Sequence, residues 1–457
     1  MVDNKIKNEL IRCLGKDQVF DQSEYRIAYS YDATGSEFLP DVVVFPTSER
    51  DMEQIIAIAY KHKVPLTPRG AGVGYSGGSV PVSGGISMVF TRMNQILAID
   101  TDNFTAVVEP GVVTYHLQQA VEKKGLFYPP DPASLKTSTI GGNVAENAGG
   151  LRCFKYGVTG NYVLGLEAFL IDGRKIKTGG YVIKNVAGYD IKSLLVGSEG
   201  TLAVISKIIL RLIPLPQYRR LFRVDFSSLK KGAEFINRMV RENISPSVLE
   251  FMDETSITAV CEYQDIPLEP AVKASALVEI DGNPTDVMER SNHFIQLLSE
   301  FDVLSYKMAE TEAEQERLWS IRRNISPAVS KLKPKKINED IVVPIDKIPD
   351  TVDYINGLSK EYGIKTVLFG HFGDGNIHTN LLVDPRDKDE MDRAEKALDK
   401  IFRYVIAVNG SISGEHGIGI AKKPFMKYQF TETEMDVFKS VKHAFDPFNL
   451  LNPGKIF

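Results

Sequence analysis

RGAGVGYSGGS, residues 69–79, places Gly72, Gly74 and Gly77 at the G-x-G-x-x-G spacing of a dinucleotide-binding turn. That fingerprint requires a helix to open at its third glycine, because the pyrophosphate rests on the helix N-terminus, and an acid about 20 residues on for the ribose. Here the chain continues GSVPVSGGIS. Pro81 removes a backbone donor, and Gly78, Gly84 and Gly85 raise the entropic cost of a helix, so the fingerprint fails where it matters most. Asp100 lies at about the right distance, but one match among 59 acidic residues decides little. What remains is an extended VPLTP (64–68) running into glycines that reach φ > 0 and leave their N–H groups unshielded. Successive N–H groups of this kind form a phosphate nest without any helix.

The chain has 457 residues, and about 150 residues per domain suggests two or three domains. Its 43% hydrophobic and 25% charged residues are those of a soluble globular protein, neither disordered nor membrane-resident. A net charge of −5 gives no broad attraction to nucleic acid or anionic lipid, and KLKPKK (331–336) reads as a solvated loop. MVDNKIKNELIRCLGKDQ is charged throughout and lacks the apolar core of a secretory signal, so a cytoplasmic location is expected. LAVISKIILRLIP (202–214) is interrupted by Lys207 and Arg211, short of the ~18 apolar residues a membrane span needs. Cys13, Cys153 and Cys261 are too dispersed for a disulfide framework or an iron–sulfur ligand set.

The first 215 residues carry short strands, DVVVFP (41–46), VPLTP, GISMVF (85–90), TAVVEP (105–110) and LAVISKIILRLIP. Between the first two, ERDMEQIIAIAYKHK repeats Met52, Ile55, Ile56 and Ala59 at helical spacing, which completes a βαβ unit. A second helix, VTYHLQQAVEKKG, ends near Gly125. After Pro214 and Pro216 the texture shifts to RLFRVDFSS, the amphipathic KKGAEFINRMVRE and ASALVEIDG, which predicts an α+β domain on an antiparallel sheet. The expected organisation is a domain over 1–216, a second over 217–410, and a segment, 411–457, too short to fold alone that docks on an earlier domain.

A lone glycine loop is most often mere surface, but this one has companions. They are PPDPASLKTSTIGGNVAENAGGLRCFKYGVTGNYVLGLE (129–167) and VGSEGTLAVISKIIL (196–210). Together with the tail DPFNLLNPGKIF, the three blocks resemble the FAD-binding domain of the vanillyl-alcohol oxidase type, in the branch of FAD-dependent D-lactate dehydrogenases, glycolate oxidase catalytic subunits and D-2-hydroxyglutarate dehydrogenases. The resemblance covers essentially the whole chain. It implies an α+β fold: a two-subdomain FAD-binding domain followed by a substrate or cap domain with an antiparallel sheet. It further implies that Arg69, Gly70, Ala71, Gly72, Val73, Gly74, Tyr75, Ser76, Gly77 and Gly78 wrap the FAD diphosphate. Pro130, Asp131 and Ser134, with Thr139, Gly141, Gly142, Asn143 and Ala145, would line the flavin and its linker. Gly197, Glu199, Gly200, Ile205 and, in the tail, Asn452 would contact or support the remainder of the cofactor. Some relatives carry a histidine in the first loop that bonds covalently to the flavin. Val73, Gly74 and Tyr75 stand there in this chain, which implies non-covalent FAD.

The second constellation is TVLFGHFGDGNIHTNLLV (366–383), two strand-like runs around Asp374-Gly375, a preferred two-residue hairpin turn. That turn pairs Gly373 with Asn376, Phe372 with Ile377, and His371 with His378, bringing two imidazoles to one face. NGSISGEHGIGIAKK (409–423) adds Glu415 and His416, whose side chains point opposite ways if the segment is extended. Two histidines and a carboxylate with open positions make a catalytic divalent-metal set, and ligand type does not discriminate Zn, Mn and Fe(II). The family resemblance implies that His371, His378 and Glu415 hold the metal and that His416 is the catalytic base. In LWSIRRNISPAV the family's L-W-x-x-R pattern selects Arg322 over Arg323 as the clamp for a substrate carboxylate, and Asn376 faces the substrate by the same analogy.

Relatives that act on dicarboxylates place a lysine shortly before the strand ending in proline. INEDIVVP offers Asn338, Glu339 and Asp340, with Lys335 and Lys336 upstream, which favours a small monocarboxylate such as D-lactate or glycolate. With no cysteine cluster or nicotinamide site, an electron-acceptor protein is expected to reoxidise the flavin; the family suggests an electron-transferring flavoprotein or an iron–sulfur subunit, with free quinone or oxygen as the other acceptors. Two alternatives stand beside this reading: a metal-dependent hydrolase with structural glycine loops, and a non-catalytic flavin-carrying subunit of a redox complex.

Overall fold

The computed structural model describes residues 2–457, which divide into two compact units. One comprises the chain up to Gly149, Val158–Leu215 and Glu415–Phe457; the other comprises Gly150–Gly157 and Pro216–Gly414. The division departs from three consecutive ranges. Residues 150–157, expected in the first domain, belong to the second unit, as do residues 411–414. The physical reason lies in side chains: Lys155 Nζ reaches Asp281 Oδ1 at 2.5 Å and Tyr156 Oη donates to Asp281 Oδ2 at 2.8 Å.

In the first unit a four-stranded sheet runs Val19–Phe20, Val42–Val44, Ile86–Val89, Leu66–Arg69. The two strands flanking Ile86–Val89 are both parallel to it, as a βαβ crossover requires. The crossover helix Glu49–His62 is capped by Ser48, which accepts from Asp51 N at 3.2 Å, and it buries Met52, Ile55, Ile56, Ile58 and Ala59. Strand Leu66–Arg69 ends the sheet, where Pro68 costs no ladder bond. Its open edge is covered by the tail: Leu66 N donates to Leu450 O and Asn452 N to Leu66 O, both at 2.8 Å. A five-stranded antiparallel sheet follows, ordered Ile96–Asp100, Thr105–Val108, Val204–Arg211, Val163–Phe169, Lys175–Gly179.

The second unit is built on seven antiparallel strands in the order Ser305–Met308, Tyr218–Phe226, Ala274–Gly282, Val248–Asp253, Lys365–Gly370, Asn376–Val383, Lys335–Val342. Strand alternation gives it two covered faces. Phe222, Phe226 and Phe251 pack with Phe235 and Phe294 from helices Leu229–Arg241 and Pro284–Glu300. Leu221, Met252, Leu277, Val367, Phe369 and Leu382 pack on the other face against residues of helices Glu254–Gln264, Glu312–Arg323 and Ile325–Val329. No helix among the described residues is long and apolar enough to cross a membrane.

Candidate functional site

The glycine loop of the first unit borders a cleft of about 1290 Å³, open mouth included. None of the N–H groups of Gly70 to Gly74 donates a hydrogen bond among the described residues, so five donors are left for an anion. The loop stays narrow because of contacts a side chain would destroy. Gly72 holds φ +70° with the Arg69 guanidinium where its Cβ would stand, and a Cβ on Gly70 would strike Thr139. Thr139 in turn caps helix Ile140–Glu146, accepting from Gly142 N at 3.3 Å.

Most of the predicted cofactor residues line this cleft: Arg69 to Tyr75, Gly78, Ser134, Thr139, Gly141 to Asn143, Ala145, Glu199, Gly200 and Ile205. Ser76, Gly77, Pro130, Asp131, Gly197 and Asn452 do not. Three of these six brace the lining. Ser76 Oγ accepts from Gly78 N at 3.1 Å, Pro130 O accepts from Gln118 Nε2 at 3.0 Å, and Asn452 Nδ2 donates to both Gly78 O and Glu199 O at 2.7 Å. Glu199 sits at φ 52°, a conformation costing about 1–3 kcal/mol outside glycine, and its carboxylate accepts from Ile418 N and Gly419 N, each at 2.8 Å. Burial pushes its pKa up, against those two N–H groups and the charges of Lys455 and Lys422.

Those bonds fasten the segment that follows Glu415 and His416, and both of these side chains border the same cleft. The opposed orientation expected of an extended pair is replaced by an irregular stretch in which His416 Nε2 lies 4.0 Å from Glu415 Oε1. The His416 ring is also 5.2 Å from that of Tyr75, centroid to centroid. The sequence reading missed Asp32 and Glu146 in the lining; Glu146 stood inside the second glycine block, a lone acid at a helix end.

In the second unit the hairpin differs from the two-residue turn. Phe369, not His371, stands opposite His378, and residues 371–375 form a longer loop with a 3-10 turn over Phe372–Asp374 and Gly375 at φ 86°. A Cβ on Gly375 would enter the Val343 carbonyl, so tertiary packing selects the loop over the tight turn. The register shift of two residues preserves the face. His371 Nε2 and His378 Nε2 still converge to 3.4 Å with both side chains buried. Two donors about 2.0–2.1 Å from one tetrahedral metal are about 3.3–3.4 Å apart, so the pair fits a divalent ion.

The structure adds a residue the sequence reading overlooked, Glu250, wholly buried in strand Val248–Asp253. Its Oε1 contacts His371 Nδ1 and its Oε2 contacts Arg322 Nε. A carboxylate only accepts, so His371 places a proton on Nδ1 and presents Nε2 to His378. Burial alone would raise the Glu250 pKa, but Arg322 and His371 outweigh it and hold the carboxyl at about 2. One charged residue inside the apolar run VLEFM was the signal available.

Arg322 is buried because Leu318, Ile321 and Arg322 form the inward stripe of helix Glu312–Arg323, whereas Arg323 points outward to Glu316. Its guanidinium carbon lies 5.0 Å from the Phe369 ring, and both Nη atoms are without hydrogen-bond partners among the described residues. Asn376 Nδ2 donates to Ile341 O at 3.2 Å, leaving a buried Oδ1 without a partner. Asp340, opposite His378 in the ladder, accepts from Gly414 N at 2.8 Å. Lys336, expected in a solvated loop, instead stands in strand Lys335–Val342 and brings its partly buried ammonium to Ser326 Oγ, in the helix that follows the one carrying Arg322. Burial lowers its pKa.

Residues 215–456 match the family described as FAD linked oxidases, C-terminal domain, and residues 40–179 match the FAD binding domain. The chain is 42% identical to the glycolate oxidase subunit GlcD of Bacillus subtilis (strain 168), across 100% of this chain and 97% of that protein. It is 33% identical to a D-lactate dehydrogenase of Anaerostipes hadrus, across 91% and 89% of the two chains. A solved structure of p-cresol methylhydroxylase with substrate bound shares the fold, with a TM-score of 0.83 at 16% identity over 99% of this chain and 96% of that one.

Proposed function

We propose that this chain, which belongs to the FAD-linked oxidase family, oxidises D-lactate to pyruvate or glycolate to glyoxylate with non-covalent FAD and a divalent metal, Fe, Zn or Mn. The observation that carries the reading is the joining of Arg322 and His371 through Glu250, which puts a carboxylate-binding fork and a metal-binding nitrogen on one buried acid. FAD, when bound, supplies the acceptor for the hydride equivalent leaving the substrate Cα. A metal held by His371, His378 and Glu415 supplies charge that acidifies the substrate hydroxyl.

The chain's own groups do the rest. Arg322 offers its two Nη atoms to the substrate carboxylate as a fork. Asn376, whose buried Oδ1 lacks a donor, faces the substrate and helps to fix its orientation. His416 takes the hydroxyl proton, a role suited to an imidazole at neutral pH. Residues 70 to 74 hold the diphosphate through backbone N–H groups, and the apolar lining keeps water from the reacting face. The three cysteines, Cys13, Cys153 and Cys261, are dispersed, so electrons pass to a partner protein, an electron-transferring flavoprotein or an iron–sulfur subunit.

A dicarboxylate is the second reading, favoured by Lys336, whose partly buried ammonium at Ser326, four residues along the chain from Arg322, offers a second cation. Anaerobic titration with D-lactate, glycolate and D-2-hydroxyglutarate, followed at the visible flavin bands with metal analysis of the same sample, decides between them. Bleaching by one of the monocarboxylates supports the proposal; bleaching by the dicarboxylate alone replaces it. Protein that takes up FAD but is bleached by none is a carrier, and protein that takes up no FAD sinks the reading.

A further inference from the structure

Glu250 takes no step in the reaction as described, yet it is a wholly buried acid in contact with two of the groups the reaction needs. It occupies the middle of a fully buried strand, its carboxylate divided between residues 121 and 72 positions away in sequence. Isolated charge in such a place is costly, and it persists because both oxygens are spent on cationic or hydrogen-bonding partners. We propose that Glu250 is a positioning residue that sets both arms of the site at once, holding His371 in the Nδ1–H tautomer with its Nε2 lone pair toward His378, and fixing the guanidinium plane of Arg322. The proposal rests on the reading that His371 binds a metal and Arg322 a carboxylate.

The two arms are coupled by the shared acid. A carboxylate can receive both donors, because each oxygen accepts. An amide in the same place cannot: one end accepts and the other donates, so it must oppose either His371 Nδ1–H or Arg322 Nε–H. Opposing His371 favours the Nε2–H tautomer, which blocks the nitrogen that would ligate. Opposing Arg322 releases the guanidinium from its plane. Glu250→Gln is therefore nearly isosteric and still disrupts one arm or the other.

The test uses full-length, FAD-loaded protein, parent and Glu250→Gln, with zinc affinity measured against a competing chelator, KM for D-lactate and glycolate, melting temperature, and the ¹⁵N shifts of His371 assigned with His371→Asn. Zinc affinity is expected to fall about 10–100-fold, the usual effect of removing a carboxylate behind a ligating histidine. KM is expected to rise with it, and saturating zinc restores the rate of flavin reduction while KM stays high. A purely structural role would lower the melting temperature and leave zinc affinity and KM of the folded protein unmoved; that result overturns the proposal. If the parent binds no zinc, or none of the 2-hydroxy acids reduces it, the functional reading has failed and the tautomer decides: Nδ1–H in the parent giving way in Glu250→Gln supports the positioning role, and an unchanged tautomer refutes it. Should Glu250→Gln not be recovered folded, Glu250→Asp, which keeps the charge but shortens the reach by one methylene, is read against the zinc-affinity and KM outcomes, and Glu250→Leu, which removes the acceptor, against the tautomer outcome.

Discussion

Asn452→Ala should weaken FAD binding although Asn452 does not line the cleft. Its Nδ2 is the donor for two buried carbonyls, Gly78 O at the end of the glycine loop and Glu199 O on the opposite lining, both at 2.7 Å. Alanine orphans both. Each unsatisfied buried carbonyl costs about 1–3 kcal/mol, unless the loop opens to water. Alanine also inherits a left-handed φ of 40°, which adds about 1–2 kcal/mol. The sum, about 3–8 kcal/mol, is an upper bound because opening the loop restores solvation; about half of it expressed in the bound state is roughly a 10–1000-fold loss of FAD affinity. Asn452→Asp should be worse than alanine, since it sets a carboxylate against two carbonyl oxygens. The assay is titration of apoprotein with FAD by quenching of flavin fluorescence, with melting temperature recorded in parallel. Parental affinity in Asn452→Ala, or an aspartate variant that binds better than the alanine one, would refute the account of the tail as a brace.

Three other outcomes follow from the same structure. Burial pushes the Asp253 carboxyl up to about 6 against backbone N–H groups of Ser256 and Leu368. A raised folded pKa means that this contribution is present below about pH 4 and is lost as pH rises through 6, so ionised Asp253 costs about 3 kcal/mol above that range. Asp253→Asn should flatten the melting temperature between pH 4 and 6, and parallel curves for parent and variant would count against it. His416→Ala should retain FAD and lose anaerobic flavin reduction by 2-hydroxy acids; parental reduction places the base elsewhere. Arg322→Lys keeps charge but loses the fork, so KM should rise at least tenfold, about 1.4 kcal/mol; an unchanged KM removes Arg322 as the clamp.

Several features were legible because they depend on neighbours in sequence. The failure of the Rossmann fingerprint rested on Pro81 and the glycines after Gly77, and no helix follows the loop. The βαβ unit was written in the spacing of Met52, Ile55, Ile56 and Ala59, all of which are buried on one helix face. Choosing Arg322 over Arg323 required a family pattern, but the stripe Leu318, Ile321, Arg322 carries the same choice in helical periodicity. The hairpin was legible as two strands and a turn but not in register. Asp-Gly favours a two-residue turn locally, and the packing of Gly375 against Val343 overrode it.

By itself, then, the sequence determined a helix-free glycine nest, an antiparallel second unit and the residue types able to hold a flavin and a metal, because strand alternation, helical spacing and the exclusion of proline and glycine from helices act over a few residues. Only the tertiary structure decided what stands behind those groups. Glu250 meets His371 and Arg322 across 121 and 72 residues, and Asn452 meets Gly78 across 374. No local rule spans such distances. Buried polar groups must find partners wherever folding brings them, and that demand is visible only when the chain has closed on itself.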